Sequence, residues 1–220
     1  MNTSTQVKIY NMALSAIGVS KQVASVSEGS LQSLTLNNFW EIARDQCLED
    51  FPWGFAMRYV ALQLLTITTP QWLFTYGYPT DCLQARLVIP TEPATGVVVP
   101  GYLSAPNYNF WGMMHSRRRI PFSIVENEAN GGLGIATNLP DATLAYTARI
   151  TTITLWSPAF VNALALMLGS YVITPLSANP KYAATIAQAY KEAILKAGSL
   201  SMNEGPEQPE PESEFIKAMY

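Results

Sequence analysis

Histidine and cysteine are sparse in this sequence. Its 220 residues include one histidine, His115, and two cysteines, Cys47 and Cys82. The remaining candidate metal ligands are carboxylates, and no spacing of acidic residues matches a calcium loop or a facial triad. The two cysteines form no CxxC motif and stand in apolar stretches of sequence. This pattern predicts two reduced, buried thiols and leaves a disulfide as the alternative.

Side chains suited to catalysis are equally few. A hydrolase or transferase needs a nucleophile, a base and donors that stabilise developing charge. His115 stands beside the arginine cluster at 117–119 without an accompanying serine or cysteine motif, so we expect an exposed loop histidine. The run Gly131–Gly134 lacks the lysine and hydroxyl residue that follow in a phosphate-binding loop, and it favours a hairpin turn.

The chain also lacks a strong charge. Its 13 lysines and arginines and 16 aspartates and glutamates give a formal charge of −3, which offers no general electrostatic basis for tight nucleic-acid binding. Five glutamates and one lysine follow Asn203, so that segment carries −4 and the preceding 203 residues carry +1. A body this close to neutral has little charge repulsion, which favours self-association or docking on a partner.

Long hydrophobic runs are missing as well. The longest apolar run, residues 159–173, is interrupted by Asn162, Gly169 and Ser170, and it is shorter than the roughly 20 residues that span a bilayer. The first residues, MNTSTQVKIYNMAL, lack the basic start, apolar core and cleavage site of a secretory signal. The sequence therefore predicts no membrane anchor, and synthesis and residence in the cytoplasm.

What the sequence does contain is apolar: 49% of its residues are hydrophobic, enough for a sizeable core. Helical spacing and capping residues predict helices at about 6–17, 30–50, 158–174 and 180–199. Ser157-Pro158 and Asn179-Pro180 open the last two. The helix from Pro158 is apolar nearly all round and is expected to sit centrally, whereas the last is amphipathic. Its predicted inner face consists of Tyr182, Ile186, Ala189, Tyr190, Ala193, Ile194 and Ala197.

The segment between the second and third helices is predicted to be bent and partly β. Proline at 52, 70 and 79 excludes a continuous helix through the aromatic stretch 51–88. We expect extended structure at 58–65 and a short helix that is capped by Asp81 and ends at Leu87. A long loop at 90–119 should follow. Strands are predicted at 120–128, 132–138 and 142–153, forming one small antiparallel sheet.

These elements predict an α+β fold. It is mainly a bundle of N-terminal and C-terminal helices, with a small antiparallel β-sheet part and a long loop excursion. Residues 1–203 are predicted to form a single domain whose β-rich part covers about 85–155. Residues 204–220 are predicted to be an acidic, extended C-terminal arm.

Two segments are candidate partner-binding sites. Arg117, Arg118 and Arg119 form the strongest local charge, suited to an acidic partner, a neighbouring copy's glutamate-rich arm or phosphate; the alternative is a solvated loop. The arm places an apolar end behind a polar spacer, the layout of a docking peptide, although most acidic tails only solubilise. The apolar residues of that end are Phe215, Ile216, Met219 and Tyr220.

The order of several sequence segments is recognisable. They are IYNMALSAIG, VASVSEGS, DFPWGFAMR, FTYGYPTDCLQARLV and WSPAFVNALALMLGSYVITPLSANP. Together they resemble the head-to-tail adaptor (connector) proteins of tailed bacteriophages, in particular the tail tubular protein A type of short-tailed phages, over about residues 6–200. The more specific parts are Pro52-Trp53, the run from Tyr78 to Leu83, and the helix from Leu164 to Pro175.

The resemblance implies a structural protein of the virion. Members of that family form a ring, expected to be a dodecamer, that binds the portal protein and the tail nozzle protein and encloses the DNA passage used in DNA ejection. Tail fibres are a further candidate partner, and DNA would pass without sequence-specific binding. No enzymatic activity, catalytic residue, cofactor or membrane contact is implied. The expected location is the viral tail at the portal vertex, after assembly in the host cytoplasm. Another virion structural, head-completion or tail component without a ring role is the alternative, and an unrecognised enzyme also stays open.

Overall fold

The structure is a computed structural model that describes residues 3–67, 69–91, 119–127, 132–176 and 181–203. Within them lie four α-helices and six β-strands, so the fold is mixed α and β. The helices are α1 (Thr3–Ala16), α2 (Leu31–Asp50), α3 (Pro158–Val172) and α4 (Lys181–Asn203). The strands are β1 (Met57–Ala61), β2 (Phe74–Gly77), β3 (Cys82–Pro90), β4 (Phe122–Asn127), β5 (Gly132–Thr137) and β6 (Ala142–Ala148).

The helix ends follow local signals in the sequence. The side chain of Ser30 accepts a hydrogen bond from the Ser33 N–H at the start of α2, over 3.2 Å. Gly18, with φ +77°, supplies the left-handed residue after α1. All four helices lie where the sequence predicts them, but α1 begins at Thr3 and α4 continues to Asn203. The predicted cap at Asn179-Pro180 lies outside the described residues.

Ser157 caps α3, and its replacement by alanine should weaken the fold. Its side-chain oxygen accepts a hydrogen bond from the Phe160 N–H over 3.2 Å. Without that acceptor one N–H of the first turn loses its partner, so we expect Ser157→Ala to lower the free energy of unfolding by about 1 kcal/mol. Urea denaturation measures the change. Ser199→Ala is the control, because Ser199 is exposed and bonds only back to Lys196 O, 2.8 Å away. Equal small losses in both variants would contradict the capping role.

Helix α3 occupies the centre of the helical part, as its apolar sequence predicts. It packs against α1, α2 and α4, and Tyr171 stacks on Phe39 of α2 with ring centroids 5.7 Å apart. Seven of its residues are buried: Phe160, Ala163, Leu164, Ala165, Leu168, Gly169 and Val172. A helix that buries residues on several faces fits between other helices rather than on a surface.

The inner face of α4 agrees with the prediction at most positions. Ile186 and Ala197 are buried. Ala189, Tyr190, Ala193 and Ile194 are half-buried. Tyr182 was predicted to belong to this face, but it is 44% exposed. Its ring lies over Gly18, where an added Cβ would be 3.3 Å from Tyr182 Cε2, and the rest of the side chain faces solvent.

The strands form two three-stranded antiparallel sheets, so the prediction of one sheet is wrong. Sheet A has the order β1-β6-β3, and sheet B has the order β2-β5-β4. Strand β6 pairs with β1 and β3 instead of continuing the meander from β5. The β-rich part also begins at Met57, well before the predicted residue 85.

Residues 62–65 connect the two sheets. The Leu62 N–H donates to Ala142 O at the end of sheet A, over 2.8 Å. The Leu65 N–H then donates to Thr75 O of β2, over 2.8 Å, beside sheet B. The extended structure predicted for 58–65 is therefore present, and it borders both sheets.

The short helix predicted from Asp81 to Leu87 is wrong, because this segment enters β3. Residues 82–90 pair with residues 142–148 of β6. The Asp81 carboxylate accepts a hydrogen bond from the Tyr146 hydroxyl over 3.0 Å and pairs with Arg58, so it does not cap a helix. Pairing with a distant strand has overridden a local capping signal. Most of the predicted loop 90–119 lies outside the described residues. The hairpin turn predicted at Gly131–Gly134 is corrected at residues 132–134, which belong to β5, while residue 131 lies outside the described residues.

Candidate interaction surfaces

The predicted partner-binding residues fall mainly outside the described part of the chain. Arg119 is described and is exposed. Arg117 and Arg118 lie outside the described residues, as do Phe215, Ile216, Met219 and Tyr220. His115 also lies outside them. The structure therefore leaves the predicted arginine cluster and apolar arm as predictions, and any described surface must be identified from other residues.

A set of charged side chains joins α2 to sheet A. Arg149 Nε lies 3.0 Å from Asp45 Oδ2, and Arg44 also pairs with Asp45, at 2.8 Å. Arg58 and Tyr146 both engage Asp81 within sheet A. Each of these groups already has a partner in the chain, and the Arg149–Asp45 pair links α2 to the end of β6.

Arg86 completes this contact at the end of α2. Its Nη2 donates to Glu49 O over 2.6 Å, and its Nε donates to Thr147 Oγ1 of β6 over 2.9 Å. The first bond satisfies a carbonyl that the helix itself leaves open. Burial, with the nearby charges of Asp45 and Asp50, raises the pKa of Glu49. The positive charge of the Arg86 guanidinium offsets part of this rise in the Glu49 pKa. The two hydrogen bonds of Arg86 fix the end of α2 to sheet A, which is a structural role.

The two thiols are poor nucleophiles. Cys47 and Cys82 are both free, and Cys47 is fully buried, as predicted. Cys82 is only half-buried, which corrects its prediction as a buried thiol. Burial raises the pKa of Cys47, and burial also raises the pKa of Cys82 to about 11. Because the thiolate is the reactive form, a raised pKa lowers the reactivity of both side chains at neutral pH.

We expect alkylation of Cys82 to report this raised pKa. At pH 8 about one Cys82 in a thousand would be ionised, so iodoacetamide should react on the order of a hundredfold more slowly than with the urea-unfolded chain. The rate should rise about tenfold per pH unit from pH 8 to pH 10, because the thiolate fraction grows in that proportion. Mass spectrometry of the labelled peptides assigns each site. A native rate equal to the unfolded rate would contradict the prediction.

No group of three or more histidine, cysteine or carboxylate side chains placed to hold a metal ion occurs in the part of the chain that the structure describes. Among the helices of that part, none is long and apolar enough to cross a membrane.

An open groove of about 570 Å³ lies along α4, where the helix faces the end of α2 and α3. Ile194 and Leu195 form much of its apolar wall, and Leu195 is 73% exposed. Asp50 and Tyr190 lie at one side, joined by a hydrogen bond of 2.7 Å from the tyrosine hydroxyl to Asp50 Oδ2. Lys191 is the cation among the lining residues. This α4 groove combines apolar contact area with one cation, Lys191, and one carboxylate, Asp50.

Two other exposed apolar surfaces lie on different elements. Leu31, Leu34 and Ile42 follow one side of α2 at helical spacing and are 65%, 54% and 55% exposed. We call these three residues the α2 stripe. In sheet A, Tyr59 and Val60 of the edge strand β1 are 53% and 37% exposed. Contiguous apolar side chains on a helix face or a sheet edge are typical of protein contact surfaces.

The sequence alone does not identify these surfaces. Helical spacing places Leu36, Ala43 and Cys47 on one face of α2, and all three are fully buried. The signal for the α2 stripe was present in the apolar residues that lie off this buried face. In α4, a leucine between Lys191 and Lys196 was the corresponding signal. An apolar residue in a polar helical face is common, however, and only the fold shows which ones share a groove.

No protein-family model matches the chain, and no curated protein matches it at a significant level.

Proposed function

We propose that the protein is a head-to-tail adaptor of a short-tailed bacteriophage, of the tail tubular protein A type. The observation that carries the proposal is that the α2 stripe and the exposed residues of edge strand β1 lie on different elements of one nearly neutral body. A ring subunit contacts two like neighbours through two different surfaces. A chain with two separate apolar surfaces meets that requirement.

The chemistry of the described residues supports a structural role. The charged side chains between α2 and sheet A are paired within the chain. The raised thiol pKa values favour unreactive cysteines. The described residues thus support contact surfaces better than an activated nucleophile or base. The proposed role is that of a structural protein that is not an enzyme and needs no cofactor.

In the proposed assembly the subunits form a ring, with twelve copies as the expected number, between the portal protein and the tail nozzle protein. The N-terminal and C-terminal helices would act as a bundle, with the sheets as its β part. The ring would enclose the passage for genomic DNA during ejection, without sequence-specific contacts. Its location would be the viral tail at the portal vertex, after assembly in the host cytoplasm, with tail fibres as a further partner. The alternative is another virion structural, head-completion or tail component without a ring role.

Native mass spectrometry of the protein mixed with its cognate portal ring tests the proposal. We expect a complex that gains about one copy of this chain per portal subunit, because a connector follows the symmetry of the ring that it extends. Absence of binding while the portal ring stays intact would reject the connector role and favour the alternative component. A mass shift of one or two copies per portal ring would reject a ring role as well.

The arginine cluster should contribute to this association. Replacing Arg117, Arg118 and Arg119 together by alanine is expected to weaken ring or portal binding about tenfold at low salt, with a smaller difference at high salt, because screening weakens exposed charge contacts. Light scattering or native mass spectrometry at several salt concentrations measures the change. Replacing the exposed Lys8 and Lys21 by alanine is the control for loss of positive charge alone. Unchanged binding of the arginine variant at low salt would refute the prediction.

A further inference from the structure

The α4 groove exposes apolar surface that a further segment would cover. Leu195 projects from α4 with 73% of its surface exposed, beside the half-buried Ile194 and Tyr190. The groove has room for several side chains, at about 570 Å³. Burial of such apolar surface favours binding, in proportion to the area removed from water.

Residues 191–196 of α4 contain Lys191, Glu192 and Lys196, a formal charge of +1, and Asp50 at the other side of the groove accepts a hydrogen bond from Tyr190. Lys191 lines the groove, and Lys196 lies one residue beyond Leu195. Both lysines are exposed, and neither forms an ion pair with another residue that the structure describes. An occupant that carries apolar side chains and several carboxylates would complement both features.

The chain itself contains a segment with that composition. Seventeen residues follow Asn203, with glutamates at 204, 207, 210, 212 and 214 and then FIKAMY at 215–220. The groove and this segment therefore match in two independent respects, apolar character and carboxylates opposite the two lysines.

The distances permit the contact within one molecule. From Leu195 to Asn203 the helix rises about 12 Å. The 11 residues from 204 to 214 can span up to about 36 Å when extended. The spacer can therefore turn back along α4 with length to spare. A linked segment of this kind has an effective concentration in the millimolar range, which favours the contact within the chain over one between chains at micromolar concentration.

We propose that residues 215–220 bind in the α4 groove of their own chain, with the glutamates of 204–214 beside Lys191 and Lys196. The segment would cover Leu195 in the single chain, whether or not the protein assembles into a ring. This gives the predicted docking peptide a specific receptor.

Photo-cross-linking of the full-length chain tests the contact. The photoreactive residue p-benzoylphenylalanine replaces Tyr220, an aromatic for an aromatic, and tandem mass spectrometry locates the linked peptide. We expect links to the α4 residues around Leu195 at the mass of a single chain. Links at the mass of two chains would overturn the proposal in favour of a second copy as occupant. Absence of any link to α4 would overturn it outright.

Matched substitutions separate the groove from general surface effects. Leu195→Glu is expected to lower the yield of the cross-link about tenfold, because it places a carboxylate in an apolar groove facing an acidic segment. Leu73→Glu, at the residue before β2, is the control, since Leu73 is 76% exposed, close to the exposure of Leu195. Lys191→Glu with Lys196→Glu should lower the yield roughly fivefold at low salt and less at high salt. Equal yields for Leu195→Glu and Leu73→Glu would contradict binding in the groove.

Discussion

Replacing Phe160 by alanine is expected to lower the free energy of unfolding by about 3–5 kcal/mol. The Phe160 side chain is fully buried near the start of α3. Its ring makes edge contacts with Trp53, Phe55 and Trp156, with centroid separations of 5.1, 5.2 and 5.0 Å. Alanine would leave a cavity among three rigid rings that cannot easily close on it, and each lost ring pair adds to the cost.

Urea denaturation followed by tryptophan fluorescence measures this loss, because Trp53 and Trp156 lie in the affected cluster. Leu155→Ala is the matched control, a large-to-small change five residues earlier. Leu155 is 57% exposed, and its replacement should cost less than about 1 kcal/mol. If Phe160→Ala cost no more than the control, the aromatic cluster would not be a central part of the core.

The two tryptophans of the aromatic cluster, Trp53 and Trp156, have a structural role. The Trp53 indole N–H donates to Cys47 O over 2.7 Å, and the Trp156 indole N–H donates to Ile150 O over 3.2 Å. Both polar atoms of these buried rings are therefore satisfied, which burial requires. The prolines of the sequence predicted a bent, partly β segment, and β1, β2 and most of β3 lie within it. Phe51 and Trp53 at its start are buried, whereas Tyr59 is 53% exposed.

The helices were predictable because their signals are local. Ser157-Pro158 both caps α3 and fixes its first residue, and the structure contains the expected bond from the Phe160 N–H to Ser157. Likewise the buried face of α2 follows from the spacing of Leu36, Ala43 and Cys47. The differences lie at helix ends, at the start of α1 and the end of α4, where helices fray.

The strands were harder to predict because their partners are distant in the chain. Residues 82–90 pair with residues 142–148, and the 51 residues between them include strands β4 and β5 of sheet B. Local residues such as Asp81 after Pro79 indicated a turn or a cap and carried no information about that partner. For the same reason the sequence predicted one antiparallel sheet where the structure has two, with β6 paired to β1 and β3.

The interaction surfaces could not be read from the sequence at all. The spacing of apolar residues predicts which face of a helix is buried, but it does not show which exposed residues meet across elements. The exposed Leu195 indicates a contact site only because α4 lies beside the end of α2, so that the two helices form a groove. The hydrogen bond from Tyr190 to Asp50 joins them there. The composition of residues 204–220 did predict a docking peptide, so the proposed contact joins one feature from the sequence with one from the fold.

Replacing Gly169 by leucine is expected to lower the free energy of unfolding by about 3 kcal/mol, at the point where α3 crosses α1. A Cβ added to Gly169 would lie 3.4 Å from both Ala13 O and Ile17 Cγ2. A leucine side chain extends well beyond its Cβ and would force the two helices apart. The crossing joins IYNMALSAIG to the α3 segment, two of the segments that carry the family resemblance, so their spacing affects the whole helical part.

Gly169→Ala is the matched variant, because it adds only a methyl group at the same position. The single methyl group reaches an ordinary contact distance, and alanine favours a helix interior over glycine by about 1 kcal/mol. Stability should therefore stay within about 1 kcal/mol of the original chain for alanine and fall steeply for leucine. Thermal and urea unfolding of both variants measures the difference. Equal stability of the two would mean that α1 does not lie against α3 at Gly169, and the close packing of these helices would have to be rejected.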